Sequence, residues 1–402
     1  MSRDFRLWFL CALFLTIGVL SLNDAFIFSP DSARYLSWAR SLAQLEGFKD
    51  ATGPEPSRYV FHAPLYSVLL APIARFSPYG IIPAKILTVG MGSLFLMLFY
   101  FWTAKKAGRS VAFWGTFFLV INPLVIIYST QILSEIPFVA CLVLFFILAE
   151  KIVASDKPSA WLVVGFLATI CAGMFLRELG LAIVLSGTLF FLLRKDYQRA
   201  FLVLLVPLFF YLLWLVRNEI IVARIEVPDW RNTKLFLTHY FTGENASLLR
   251  EFIVRAETNF QVYKESVGTL LFFPQFVGVK YALVLLTEPS ISVVSRILKF
   301  GQYPLTIITI GFSGYGLYRV IKDSETARLL ILFLLFYLIP VIFYPINDVR
   351  FLFPLIILML YFCVMGFQDL AKRIPDTPLR TLSARVVVAS LLLLLATPNL
   401  VW

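Results

Sequence analysis

IPAKILTVGMGSLFLMLFYFWTAKKAGR, residues Ile82 to Arg109, is a predominantly apolar run closed by Lys105, Lys106 and Arg109. As a helix, its first 22 or so residues would span about 33 Å, enough to cross a hydrocarbon layer of about 30 Å. The basic residues then mark the cytoplasmic side. The pattern recurs, and spans are expected near 7–23, 82–103, 111–128, 131–149, 159–176, 179–193, 200–216, 301–318, 328–344, 351–367 and 385–402. The turn around Tyr128-Ser129-Thr130 decides the sidedness of everything after it. A chain that is 60% hydrophobic and 15% charged, with 40 phenylalanines, exceeds what one soluble core absorbs. The expected fold is therefore an all-α polytopic membrane protein of about eleven spans, forming a single transmembrane domain over 1–402.

With the N-terminus inside, the inner connectors hold Arg3 and Arg6, Lys105-Lys106 with Arg109, Lys151 and Lys157, Arg194-Lys195 with Arg199, Arg319, Lys322 and Arg328, and Lys372-Arg373 with Arg380 and Arg385. That distribution accounts for the net charge of +11 by topology and excludes a nucleic-acid surface. The first run follows a basic start, but Asn23-Asp24-Ala25-Phe26 offers no small-x-small cleavage site, so a retained helix is expected. Cys11, Cys141, Cys171 and Cys363 all fall inside apolar runs without metal-ligand spacing and read as packing residues. Two long polar segments fall outside, a first loop at 24–81 and a second at 217–300. The second carries Trp230, Tyr240, Phe252, Phe260 and Tyr263 among charges, a composition suited to interfacial helices.

Ser29-Pro30-Asp31-Ser32-Ala33-Arg34-Tyr35 reads as a helix start, with Ser29 as N-cap, Pro30 in the first turn and the helix running to about Glu46. Asp31, Arg34 and Tyr35 share one face, and Trp38, Ala39, Leu42 and Leu45 extend an apolar stripe expected to lie on the membrane. The plain alternative is that Asp31 complements the helix dipole and pairs with Arg34. Arg58-Tyr59-Val60-Phe61-His62-Ala63-Pro64-Leu65-Tyr66 brings Tyr59 and one of two histidines to the same outer face, ahead of the second span; a solvated loop histidine is the alternative. Ser134-Glu135-Ile136-Pro137 places an acid at the outer end of the fourth span, where it costs about 3 kcal/mol on insertion scales and needs a partner or a task. Pairing with Arg177 is one answer. Arg177 and Arg350 break the basic-inside pattern, which marks them as candidate anion ligands. Arg350, in Asn347-Asp348-Val349-Arg350-Phe351, has the guanidinium geometry to hold a phosphate; a lipid headgroup or an Asp348–Arg350 pair are the alternatives.

The topology puts these four fragments on one side. Two carboxylates, three arginines and a histidine beside a headgroup-level helix suit a substrate with a phosphate head and a polyprenyl tail. Sugar transfer from it needs a base for the acceptor and cations for the departing phosphate.

These motifs resemble the GT-C membrane glycosyltransferases, in the branch of the protein O-mannosyltransferases and the aminoarabinose transferase of lipid A (glycosyltransferase family 39-like). Asp31-Ser32-Ala33-Arg34-Tyr35 looks like that branch's first-loop motif and His62-Ala63-Pro64-Leu65-Tyr66 like its Lys/His-Pro-Pro-Leu-Tyr stretch. Ser134-Glu135 looks like its second acidic site, and Asp348-Val349-Arg350-Phe351 like its Asp-x-Arg-Tyr/Phe segment. The resemblance spans residues 1 to about 370. It implies Asp31 as catalytic base or acceptor-orienting carboxylate and Glu135 as a second catalytic acid. Arg34, Arg177, Arg350 and His62 would hold the phosphate of a polyprenyl-monophosphate sugar donor, with Tyr35, Tyr59 and Asp348 in the binding surface. Membrane lipids and a glycan, lipid or protein acceptor are the implied partners. Ala63 replaces the first proline of the usual pair, Ser32 replaces an acid, and no soluble domain is expected after the last span, so the acceptor class stays open. Some relatives carry a divalent metal ion, but one outer-loop histidine beside a few acids is too thin a ligand set to assign one here. A prokaryotic inner membrane, with the site facing outside, is the expected location. A transporter of lipid-linked saccharide is the rival reading; it favours ionisable groups at the bilayer midplane and internal repeats, neither of which is evident.

Overall fold

The structure is a computed structural model that describes residues 4–24, 30–50, 57–58, 63–77, 80–222, 236, 241–242, 247–272, 307, 310–322, 327–346 and 348–373. Within them the chain is helical apart from a two-residue antiparallel pairing of Lys49–Asp50 with Ser57–Arg58. The helices are α1 (Phe5–Leu20), α2 (Pro30–Ala43), α3 (Leu65–Phe76), α4 (Ile81–Ala107), α5 (Arg109–Val120), α6 (Pro123–Ser129), α7 (Glu135–Val153), α8 (Ala160–Leu176), α9 (Leu181–Leu193) and α10 (Tyr197–Val222). After them come α11 (Leu248–Phe272), α12 (310–322), α13 (Ala327–Phe343) and α14 (Phe353–Arg373). Among the described residues, four stretches, Ile81–Ala107, Glu135–Val153, Tyr197–Val222 and Arg350–Leu370, are long and apolar enough to cross a membrane, and shorter apolar helices pack beside them. The fold is an all-α polytopic membrane architecture. The span expected at 385–402 lies outside the described residues.

Three local expectations are corrected. The span expected as one helix over 111–128 is broken: Asn122 stops α5 and N-caps α6, accepting from the Leu124 and Val125 amides at 2.9 and 3.2 Å, with Pro123 in the first turn. The Pro-Leu-Tyr after His62 does not lead straight into a span, because Leu65–Phe76 forms the separate helix α3. Helix α2 stops at Ala43 rather than near Glu46, because Leu45 (φ 62°) and Gly47 (φ 79°) turn the chain through the left-handed region. Its stripe does not rest on lipid alone: Trp38 and Ala39 are fully buried, and the Tyr35 ring meets the Tyr66 ring of α3 edge-on at 5.0 Å, while Leu45 is 94% exposed.

Aromatic packing explains the phenylalanine content. Trp102 of α4 is stacked between Phe146 of α7 and Tyr361 of α14, with ring centroids 5.5 and 4.1 Å away. Its indole N–H donates to Glu150 at 3.0 Å, and Lys106 pairs with the same carboxylate at 2.8 Å. Arg319 and Arg373 likewise converge on Asp369, at 2.9 and 3.2 Å. These pairs tie together the basic ends of the helices, opposite the end that carries Asp31 and Glu135.

Helices α12 and α14 approach backbone to backbone. A Cβ on Gly316 would lie 1.8 Å from the Phe362 carbonyl oxygen, and one on Gly366 would lie 2.5 Å from that of Phe312. Only hydrogen fits at such a crossing. Gly316→Ala is therefore expected to destabilise the protein by about 1–3 kcal/mol or more, read as a lowered unfolding temperature in detergent. Gly314→Ala, with nothing within 4 Å of its added carbon, should leave that temperature unchanged or raise it slightly.

Candidate active site

The start of α2 and the connectors α6–α7, α8–α9 and α13–α14 meet at one end of the bundle. Around them lies a cavity of about 630 Å³ lined by Asp31, Tyr35, Ser134, Glu135, Arg177, Glu178 and Arg350 among others. Its remaining wall is apolar and comes mainly from α8, α9 and α13, through residues such as Leu181, Leu185, Phe336 and Val341.

Each charged residue has an identifiable placement. Asp31 sits in the first turn of α2, where the helix dipole favours an acid. It accepts from Arg350 Nη1 at 2.7 Å, and Arg34, one turn on, approaches it at 3.8 Å. Arg350 stands in the 3₁₀ turn Val349–Leu352; Asp348 caps that turn by accepting the Arg350 amide at 2.9 Å and pairs with the Arg350 guanidinium at 2.9 Å. Glu135 begins α7 and is 2% exposed. One of its oxygens, Oε1, pairs with Arg177 at 2.5 Å, whereas Oε2 is buried with no hydrogen-bond partner among the described residues. Arg177 and Arg350 both approach the Phe351 ring, 5.9 and 5.5 Å from its centroid, so the two ion pairs share one aromatic neighbour.

Arg177 owes its position to a tight turn. Gly180 folds back so closely on the end of α8 that a Cβ there would lie 2.4 Å from the Gly173 carbonyl oxygen. Tyr35 reaches across from α2 to bond Ser134 at 3.1 Å. Burial, then the Asp31 and Glu135 carboxylates, push its phenol well above the ordinary tyrosine range, which keeps it a neutral hydroxyl.

Of the residues expected from sequence, Asp31, Tyr35, Glu135, Arg177 and Arg350 line the cavity. Arg34 and Asp348 flank it through their contacts with Asp31 and Arg350. Tyr59 and His62 lie outside the described residues. The pairings weighed as alternatives, Glu135 with Arg177 and Asp348 with Arg350, are both formed, and Arg350 in addition reaches Asp31. Sequence reasoning missed Glu178, Tyr211 and Tyr344, which also line the cavity. Glu178 was findable, as the acid next to an arginine already marked as off-pattern. Among the described residues, no three His, Cys, Asp or Glu side chains come together in a way that holds a metal ion.

No model of a known protein family matches the chain, and no curated protein matches it. Solved structures do. ArnT from Cupriavidus metallidurans bound to undecaprenyl phosphate aligns with a TM-score of 0.57 at 14% identity, over 99% of this chain and 66% of ArnT. The archaeal oligosaccharyltransferase AglB from Archaeoglobus fulgidus, in complex with an inhibitory peptide and a dolichol-phosphate, aligns with a TM-score of 0.56 at 15% identity, over 97% of this chain and 54% of AglB. The Archaeoglobus fulgidus oligosaccharyltransferase in complex with Zn and sulfate gives 0.55 at 16% identity, over 98% of this chain and 51% of that one. The chain thus shares the fold of ArnT and of the archaeal oligosaccharyltransferase, and it spans just under two thirds of the first and about half of the second. At such identities the likeness is one of fold.

Proposed function

We propose that the protein is a membrane glycosyltransferase that moves a sugar from a polyprenyl-monophosphate donor to a hydroxyl or phosphate acceptor on the non-cytoplasmic face. The observation that carries this is a cavity in which a paired set of acids and arginines opens onto an apolar wall. The wall between α9 and α13 suits an isoprenoid chain. Arg350 and Arg177, at the polar end, are the cations for a phosphate, which would join the carboxylates already on them. With a hydroxyl acceptor, Asp31 takes its proton as the acceptor oxygen attacks the anomeric carbon, the sugar–phosphate bond breaks and the phosphate leaves with both bonding electrons; a phosphate acceptor attacks through an oxygen that is already anionic and needs no base. The arginines stabilise the charge that gathers on it. Glu135, held by Arg177 through one oxygen, keeps the other turned to a buried site where a sugar hydroxyl would find an acceptor. The ligated state of ArnT and AglB with polyprenyl phosphates supports the donor class. Asp31 and Glu135 are each engaged by arginine, an arrangement that does not fit a metal.

The test is incubation of purified protein with undecaprenyl-phosphate-linked sugars and outer-face lipid and glycan acceptors, with release of undecaprenyl phosphate as the readout. Release that depends on acceptor supports the reading. Donor that crosses a liposome bilayer and is never cleaved refutes it in favour of transport.

A further inference from the structure

Glu251, Arg255, Asn259 and Tyr263 recur every fourth residue along α11 and so share one face. The first three are fully buried and Tyr263 is 6% exposed, while Leu249, Ile253 and Phe260 on the other side are exposed. Most polar groups turned inward are bonded; among the described residues Tyr263 Oη and Asn259 Oδ1 have no hydrogen-bond partner, and the bonds of Asn259 Nδ2 and one of Arg255 go to the end of α13. Asn259 Nδ2 donates to the carbonyls of Ile342 and Tyr344 at 2.7 and 2.8 Å. Arg255 Nη1 donates to the Phe236 carbonyl at 2.8 Å and to that of Phe343 at 3.4 Å, and its Nε donates to Glu251 at 2.7 Å. Glu251 also accepts from the Phe241 and Thr242 amides and from the Thr242 hydroxyl. Ile342, Phe343 and Tyr344 end α13, where carbonyls have no partner within the helix.

The connector that leaves this point carries Asp348 and Arg350. Its far side is held as well, since the Tyr337 hydroxyl donates to the Phe351 carbonyl at 3.0 Å. The cavity-lining arginine therefore hangs on a loop pinned at both ends, one pin supplied by α11, in the segment between α10 and α12.

We propose that the polar face of α11 positions Arg350. By holding the carbonyls of Ile342 and Tyr344, Asn259 fixes where the connector leaves α13 and keeps the Arg350 guanidinium against Asp31. Asn259 is a positioning residue: it touches neither donor nor acceptor and acts through Arg350. The consequence for turnover rests on the glycosyl-transfer reading above; the structural consequence does not.

The experiment has two arms, run on Asn259→Leu and on the milder Asn259→Ser, which carries the test if the leucine variant fails to fold. In hydrogen exchange of the full chain in detergent, amides of 344–352 should exchange roughly tenfold faster in either variant, with α7 unchanged, as expected for loss of buried hydrogen bonds. Unchanged exchange at 344–352 overturns the proposal. In the second arm, kcat/KM for an undecaprenyl-phosphate sugar should fall about tenfold in Asn259→Ser, and the same substitution on an Arg350→Gln background should cause no further loss. An undiminished loss on that background means Asn259 acts elsewhere and also overturns it. A wild type that cleaves no donor refutes the glycosyl-transfer reading instead, and the exchange arm still decides the positioning role.

Discussion

Asp31→Asn is expected to lower sugar transfer by about a hundredfold to ten-thousandfold, the range for loss of a positioned acid or base, while the protein still binds undecaprenyl phosphate as tightly as the wild type or more so. The first effect follows from the assignment of Asp31 as the proton acceptor. The second follows from its pairing. Asp31 lies 2.7 Å from Arg350, so removing its charge leaves that guanidinium with more of its field for a phosphate. Arg350→Gln should do the reverse, weakening phosphate binding because the cation is gone. Native mass spectrometry of the detergent-solubilised variants with added undecaprenyl phosphate, beside single-turnover release, separates the two. If Asp31→Asn loses binding as severely as Arg350→Gln, Asp31 is a counter-charge that holds the arginine in place, and its role as base is refuted.

The second large effect is on stability. Arg177→Met strands the Glu135 carboxylate, 2% exposed, without its cation, and removal of one partner of a buried pair costs about 3–5 kcal/mol. A steep loss of unfolding temperature is expected. Glu135→Gln combined with Arg177→Met removes both charges together and should recover most of it. Transfer activity measured on the recovered double variant then tells two roles apart. Restored stability with activity still lost assigns chemistry to the pair; restored stability with restored activity makes the pair purely structural.

Much of this site was legible in the chain. Apolar runs and basic connectors fixed the alternation of the helices, and that alternation alone brought Asp31, Glu135, Arg177 and Arg350 to one end. Their identities stood out because acids and arginines at a membrane boundary break local rules. Pairing was harder to read. Asp31 meets Arg350 across 319 positions, and nothing in the separation of two residues that far apart chooses one arginine over another. Asn122 defeated the expected span for a different reason, since its side chain competes for backbone amides that hydropathy does not register. The polar face of α11 was readable at its four-residue spacing, yet exposed-looking charges among aromatics pointed to an interfacial helix. Only packing reveals that the charged side faces inward.

The distance along the chain between Asp31 and Arg350 also bears on how the protein is made. A chain threaded into the membrane from its N-terminus delivers Asp31 while 319 residues still separate it from the partner yet to be synthesised. At roughly 5–20 residues per second, that interval lasts about 16 to 64 seconds. Throughout it, α2 can be folded against α3 with Arg34, 3.8 Å from Asp31, as the counter-charge at hand, while the cavity still lacks Arg350. The nascent protein thus carries Asp31 and its neighbour Arg34 long before Arg350, and the pairing of Asp31 with Arg350 closes only when the connector after α13 arrives.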